Sequence, residues 1–365
     1  MTDTNDNPPL VAEEQGKQLS RGTGIWIVAL FLGIALGAGM GLVHLPYAIL
    51  QPGPISNTLG NGSNGKPLIT IAGRPTYPAT GALNFVTVAV LGGPTNPVNG
   101  WEWLSGHLDS TNAVVPEDEI FPTGATSTEV DQTDAAEMAG SQQEAIAVAL
   151  RAVGETVPEI VTVEALTTGS PSRGVLLPGD VLLSVDGKTI SSAEALQTAI
   201  RAHKPGEKVV FTIRRGGKEQ VATVKTGSAG GNAIVGVYLG SQFVFPTKVS
   251  INAGDVGGPS AGMMFSLAVY DKLTPGSLTG GADIAGTGTI DSTGAVGAIG
   301  GIQQKMVGAQ RGGATWFLAP DSDCNEVVGH VPAGLKVVKV STFTQALDAV
   351  KAIAARRGSS LPTCP

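Results

Sequence analysis

A serine hydroxyl can attack a carbonyl when one group takes its proton and others steady the charge that develops on the carbonyl oxygen. Ser260 stands in Gly258-Pro259-Ser260-Ala261-Gly262, directly ahead of the almost unbroken apolar run Met263-Met264-Phe265-Ser266-Leu267-Ala268-Val269-Tyr270. The pattern reads as a glycine-rich loop feeding a buried helix. Capping alone would also select a serine there, because its hydroxyl satisfies a free backbone N–H. The same place sets the serine beside unpaired N–H groups and the positive end of the helix dipole, where an oxyanion could be held.

The base is the next requirement. The chain has four histidines. His44 lies at the edge of an apolar segment and His203 in a region of different periodicity. His107 and His330 remain, and no local pattern recommends either. A lysine serves equally well when burial or a helix dipole lowers its pKa towards neutrality. Lys305 follows Ile299-Gly300-Gly301-Ile302-Gln303-Gln304, where paired glycines introduce a helix. It falls in the first turns, among Ile302, Met306 and Ala309. Seen alone, a solvated helix lysine would fit the same residues.

The ordered segments that join the two residues carry more weight. Gly258-Pro259-Ser260-Ala261-Gly262 is followed by Ala282-Asp283-Ile284-Ala285-Gly286-Thr287-Gly288-Thr289-Ile290, Gly294-Ala295-Val296, Ile299-Gly300-Gly301, Lys305, Gln310-Arg311-Gly312-Gly313-Ala314 and Phe317-Leu318-Ala319-Pro320. This series resembles the proteolytic domain of Lon proteases. The resemblance implies a Ser-Lys dyad on Ser260 and Lys305. It also implies a threonine near the lysine at Thr287, and backbone donors beside the serine, where Ala261 follows it. Many members carry an acidic residue shortly before the serine, where this chain has Gly258. Asp255 is the nearby carboxylate that could serve a related purpose. The resemblance implies an endopeptidase acting on unfolded or flexible protein segments, with no cofactor and no metal. No nucleotide-binding motor precedes the domain, so ATP-driven unfolding is not expected. Lon-like domains commonly form rings, and the sequence leaves homo-oligomerisation open. A non-catalytic scaffold on an inactive fold is the alternative, and retention of both Ser260 and Lys305 argues against it.

Upstream the period changes to that of strands. Gly174-Val175-Leu176-Leu177-Pro178-Gly179-Asp180-Val181-Leu182-Leu183-Ser184-Val185-Asp186-Gly187-Lys188 reads as a strand closed by a glycine turn. Ile160–Val163, Lys208–Arg214 and Glu219–Thr226 are further strands, and Ser192–Ala202 is a helix. This stretch resembles a PDZ domain, which implies a groove that takes an extended peptide as an added strand. The usual Gly-Leu-Gly-Phe loop is not evident, and no groove residue is assigned. A helix is predicted over Ser141–Val153, with Ser141 and Glu144 as its capping box. Phe243–Ile251 alternates as one strand.

Gly24–Val43 carries no charge, and about 20 apolar residues span a bilayer's hydrocarbon core. Lys17 and Arg21 precede it, and no Lys or Arg follows before Lys66. The positive-inside rule then predicts a single-pass cell-membrane protein with a cytoplasmic N-terminus and an extracytoplasmic catalytic domain. A cleaved signal peptide is the alternative, although its apolar core is normally about 7–15 residues. Residues 51–67 are rich in Gly, Asn and Pro. Within them, residues 60–66 have phosphate-loop spacing, but Pro67 stands where Ser or Thr would hold magnesium.

The predicted fold is α+β, with mixed α and β elements. A disordered tail (1–21) leads to a transmembrane anchor (22–45), a linker (46–67) and the first strands of the Lon-like domain (68–123). A PDZ-like β-sandwich or barrel (124–228) is inserted in or adjacent to that domain, which resumes over 229–355 before a short tail (356–365). The net charge of −7 argues against nucleic acid as a partner. Cys324 and Cys364 are the two cysteines, either a disulfide that pins the C-terminus or two free thiols.

Overall fold

The computed structural model describes residues 21–62 and 65–365. The tail expected to be disordered falls almost wholly on residues 1–20, outside the described residues, as do Ser63 and Asn64 of the phosphate-loop-like stretch. Helix α1 (Arg21–Leu42) contains an apolar segment, Ile25–Leu42, long enough to cross a membrane, with no residue buried and only its last turns touched by the rest of the chain.

The chain does not loosen after α1. A short strand β1 (His44–Leu45) leads straight into β2 (Tyr47–Asn57), which pairs with strands on both sides. This corrects the linker expected over 46–67. Pro52-Gly53-Pro54 reads as a breaker, yet it coincides with a register shift between Pro52 and Ile55. Prolines that would interrupt a regular ladder are tolerated at such a bulge. The strands β3 (Ile69–Ala72) and β4 (Ala82–Leu91) follow where the apolar runs predict them. Next come β5 (Val98–Asn99), the short helix α2 (Gly100–Leu108) and β6 (Ala113–Pro116).

Helix α3 (Ser127–Ala152) begins well before the predicted Ser141. Its capping box is Thr126 with Glu129. The first half of α3 lies at the surface and shows no apolar period, which hid it. The second half buries Met138, Ala145, Ile146 and Leu150 in the main core, against a helix that follows much later in the chain. It therefore packs as part of the larger unit, not of the module expected from residue 124.

The smaller unit contains β7 (Glu159–Leu166), β8 (Val181–Val185), β9 (Lys188–Thr189), α4 (Ala193–Arg201), β10 (Lys208–Arg215) and β11 (Lys218–Lys225). A hairpin of β12 (Gly227–Ala229) and β13 (Asn232–Ile234) leads to β14 (Val237–Phe243). The sheet runs β11-β10-β8-β7-β14 and closes over its own core of Val161, Leu176, Leu196 and Phe211. Two expectations change here. β14 belongs to this sheet, beyond the expected boundary at 228. The alternation read over Phe243–Ile251 is two strands, because Pro246 cannot donate to a ladder. The second of them is β15 (Lys248–Ile251), which pairs with β3.

The larger unit resumes with α5 (Gly262–Leu273), β16 (Asp283–Gly286), the small pair β17 (Thr289–Ile290) and β18 (Val296–Gly297), and α6 (Ile302–Arg311). It ends with β19 (Trp316–Pro320), α7 (Cys324–Val327), β20 (Lys336–Val340) and α8 (Phe343–Ala354). Its sheet has the order β20-β19-β16-β4-β2-β6. β4 and β16 are parallel neighbours, so strands on either side of the smaller unit close one sheet and leave that unit as an insertion. Alternating side chains separate two layers. Phe85, Ile284 and Leu318 face α5, α3 and α8, whereas Val86, Ala285 and Phe317 face α6.

Contact between α6 and β2 depends on glycine. A Cβ on Gly308 would sit 2.5 Å from the Gly53 carbonyl oxygen. Alanine in a helix interior normally gains about 1 kcal/mol over glycine. Overlap with a fixed backbone atom in a packed core costs about 1–3 kcal/mol, and here it outweighs the gain. Gly308→Ala is therefore expected to lower the melting temperature by a few degrees in a circular-dichroism thermal scan, and Gly308→Val by more.

Candidate active site

The loop between β15 and α5 is held from two sides. Gly258 takes φ +78°, a conformation that favours glycine, and its N–H donates to the Asp134 carbonyl on α3 at 3.0 Å. The Ser141 hydroxyl, also on α3, donates to the Pro259 carbonyl at 2.8 Å. From the other side, the Ser260 carbonyl accepts the Gly288 N–H at 2.8 Å and the Thr287 hydroxyl at 3.0 Å. Ser260 does not cap α5. The cap position is Ala261 and no side chain bonds there. The backbone N–H groups of Ser260 and Ala261 have no protein acceptor among the described residues, so both are free to meet an anionic oxygen.

Lys305 approaches from the other layer. Gly301 caps α6 in the left-handed region, φ +69°, where a Cβ would also crowd Val88 Cγ2 at 2.9 Å. One turn later, Lys305 is 3 % exposed. Its Nζ donates to Ser260 Oγ at 2.8 Å and to Thr287 Oγ1 at 3.2 Å. Burial disfavours the ammonium and lowers the Lys305 pKa to about 8, against a smaller opposing pull from the Asp323 carboxylate. Asp323 is itself buried, accepts the Ile299 N–H at 3.0 Å, and has its own carboxyl pushed upward by burial.

Ser260, Ala261, Lys305 and Asp255 line one cleft of about 630 Å³, with Val88 and Met138 among its apolar walls. Thr287 lies behind Lys305, and Gly258 shapes the loop without lining the cleft. Asp134 lines the cleft from α3 and was not anticipated. A Cβ on Gly257 would sit 2.6 Å from Asp134 Cβ, so this side chain covers the glycine three residues before Ser260. Asp323 was also missed. Neither carries a local sequence signal. The two histidines considered as bases do not line the cleft. His107 bonds to the Trp103 carbonyl and His330 to the Val328 carbonyl. Cys324 and Cys364 are joined in a disulfide next to Asp323.

A second cleft, of about 680 Å³, lies between β14 and α4 and is lined by Ile200, Val235, Val237 and Leu239. Among the described residues, β14 pairs with β7 alone. Gln143 and Glu144 of α3 complete the wall, and burial next to the Asp291 and Glu159 carboxylates raises the Glu144 carboxyl to about 7.

Residues 130–226 match the PDZ domain family, and residues 247–354 match the Lon protease C-terminal proteolytic domain. The chain carries a PDZ domain and a Lon-type proteolytic domain. Lon proteases of Clostridioides difficile and Xanthomonas oryzae are each 36 % identical to it over 94 residues, which is 25 % of this chain and 12 % and 11 % of theirs. The chain thus spans about a tenth of the length of these curated relatives. A crystal structure of the PDZ domain of an SdrC-like protein from Listeria monocytogenes is 26 % identical over 22 % of this chain and 85 % of its own, with a TM-score of 0.21. Ser260, Thr287 and Lys305 all fall within the match to the proteolytic domain. The PDZ match begins inside α3 and ends before β14, the strand that lines the second cleft.

Asp323 favours the charged form of Lys305, so its removal should disfavour that form further. Asp323→Asn is expected to shift the Lys305 titration below about 8, read from the pH dependence of its 13C-labelled side-chain resonance. An unshifted titration would show that the carboxylate does not act on the amine.

Proposed function

We propose that this chain is a serine endopeptidase with a Ser260–Lys305 dyad, active without ATP and anchored by α1 with its catalytic domain outside the cytoplasm. One observation carries the catalytic part: the 2.8 Å approach of a buried lysine amine to Ser260 Oγ, in a cleft within the segment that matches the Lon proteolytic domain. Neutral Lys305 takes the Ser260 proton as Oγ adds to the peptide carbonyl. The Ser260 and Ala261 N–H groups receive the oxyanion. Lys305 then gives the proton to the leaving amine, the C–N bond breaks, and an ester remains on Ser260. Water, deprotonated by Lys305, hydrolyses that ester and restores the serine. Thr287 is a positioning residue, since it bonds both the amine and the Ser260 carbonyl.

The placement outside the cytoplasm draws on Lys17 and Arg21 before the apolar segment and on the Cys324–Cys364 disulfide, a bond favoured in oxidising compartments. Substrates are flexible protein segments, and the PDZ domain presents them by adding a strand to β14.

Ser260→Ala and Lys305→Met are each expected to reduce cleavage of casein or a reporter peptide by about 10³-fold or more and to abolish labelling of Ser260 by a fluorophosphonate. Turnover undiminished in both variants would exclude the dyad. Below about 8, Lys305 holds a proton and cannot accept another. The kcat/KM of the wild type should therefore rise with pH and level off above that value, with no response to added ATP. A Thr287→Val variant should keep a fraction of the activity and move the inflection.

A further inference from the structure

A second membrane contact is built into the proteolytic unit. The tip of α2 is joined to the outer end of α1 at several points. The Trp101 indole N–H donates to the Gly37 carbonyl at 2.8 Å. Gly100 sits so close to α1 that a Cβ there would lie 2.9 Å from the Met40 carbonyl oxygen. β1 and β5 pair, His44 with Asn99 and Leu45 with Val98, which fixes the root of α2 to the end of α1. α2 itself is held at its start by an Asn99–Glu102 capping box.

These contacts set the depth of α2 once α1 spans a bilayer. Gly37 lies five residues before Leu42 (42 − 37), and at 1.5 Å per residue this is about 7.5 Å inside the end of the span. An indole bonded there lies in the shallow acyl region beneath the headgroups, the depth at which tryptophan is enriched. The surface of α2 agrees with that placement. Trp101, Leu104 and Leu108 recur at i, i+3 and i+7, so they share one stripe. Trp101 is 50 % and Leu108 78 % exposed, with Leu104 half-buried between them, and Leu42 of α1 is itself 79 % exposed. α2 contains no Lys or Arg, so the stripe is suited to partition into apolar lipid rather than to recognition of anionic headgroups.

We infer that α2 is an interfacial foot: its Trp101–Leu104–Leu108 stripe lies in the outer leaflet beside the anchor and seats the proteolytic domain on the bilayer. This rests on α1 being a retained membrane span, and the test separates the two. The full chain is reconstituted in phosphatidylcholine vesicles containing lipid brominated at shallow or deep acyl positions. Trp26, inside α1, reports on the anchor. In a Trp26→Phe background, shallow bromines are expected to quench tryptophan emission more than deep ones, and adding Trp101→Phe should remove most of that quenching. A dye on Leu108→Cys should also be shielded from aqueous iodide in vesicles; it labels selectively because both native cysteines are disulfide-bonded. Quenching of Trp26 with none at Trp101, and a dye fully open to iodide, would overturn the foot and leave the anchor standing. Absence of Trp26 quenching would overturn the anchor and the foot with it. A disulfide dimer through Leu108→Cys without lipid quenching would assign the stripe to a second copy of the chain and overturn the lipid contact.

Discussion

An amine held almost wholly out of bulk water governs the site. In water Lys305 would hold its proton through the neutral range and could not act as a base. Buried at the α6–sheet interface, it loses the hydration that favours the ammonium, and its pKa falls to about 8. The surrounding structure keeps that burial tight. Gly301 lets α6 begin against Val88, Gly308 lets it lie on Gly53, and Ile302 and Met306 bury the same helix against the sheet. The neighbours that remain polar are few and each is bonded. Ser260 and Thr287 accept from the amine, and Asp323 is fixed by a backbone N–H.

A second constraint is the shared use of α3. Its carbonyl at Asp134 and its hydroxyl at Ser141 grip the loop that carries Ser260, while Gln143 and Glu144, less than one turn further on, wall the cleft beside β14. The helix packs along α5 in the main core, so its position is set by apolar contact and not by either cleft. A single rigid element thus borders both the proposed nucleophile and the PDZ cleft. This explains why the inserted unit has one wall that it does not itself encode.

The sequence carried unequal amounts of this. Ser260 and Lys305 could be nominated because the loop, the intervening strands and the glycine-capped helix form one ordered series that resembles the Lon proteolytic domain, and Thr287 followed from that resemblance alone, since local chemistry by itself fits a cap and a solvated lysine equally well. In the smaller unit β7, β8, β10 and β11 were legible from their apolar runs and glycine turns, whereas β12, β13 and β14 were not. β2 was not, because Pro52-Gly53-Pro54 has the composition of a linker and only its pairing partners show that it sits at a bulge. The start of α3 was hidden by a surface half without apolar period. Asp134 and Asp323 were invisible in principle. Each is an ordinary carboxylate in its own segment and reaches the cleft or the lysine only through tertiary packing, and no local spacing records that.

The run from α1 through β1 into β2 leaves almost no slack. A flexible tether of about 20 residues would let a domain wander over roughly 25 Å and meet targets through a volume of solvent. Here only Val43 and Pro46 separate helix from strand from strand, and β2 lies between β4 and β6 in the main sheet. For an anchored chain the mouth of the cleft is then held at one height and one tilt above the bilayer. Diffusion along the membrane remains, but vertical reach does not. Proteins in the same membrane would be sorted by how far from the surface their flexible segments emerge, a ruler that operates before any side chain is read.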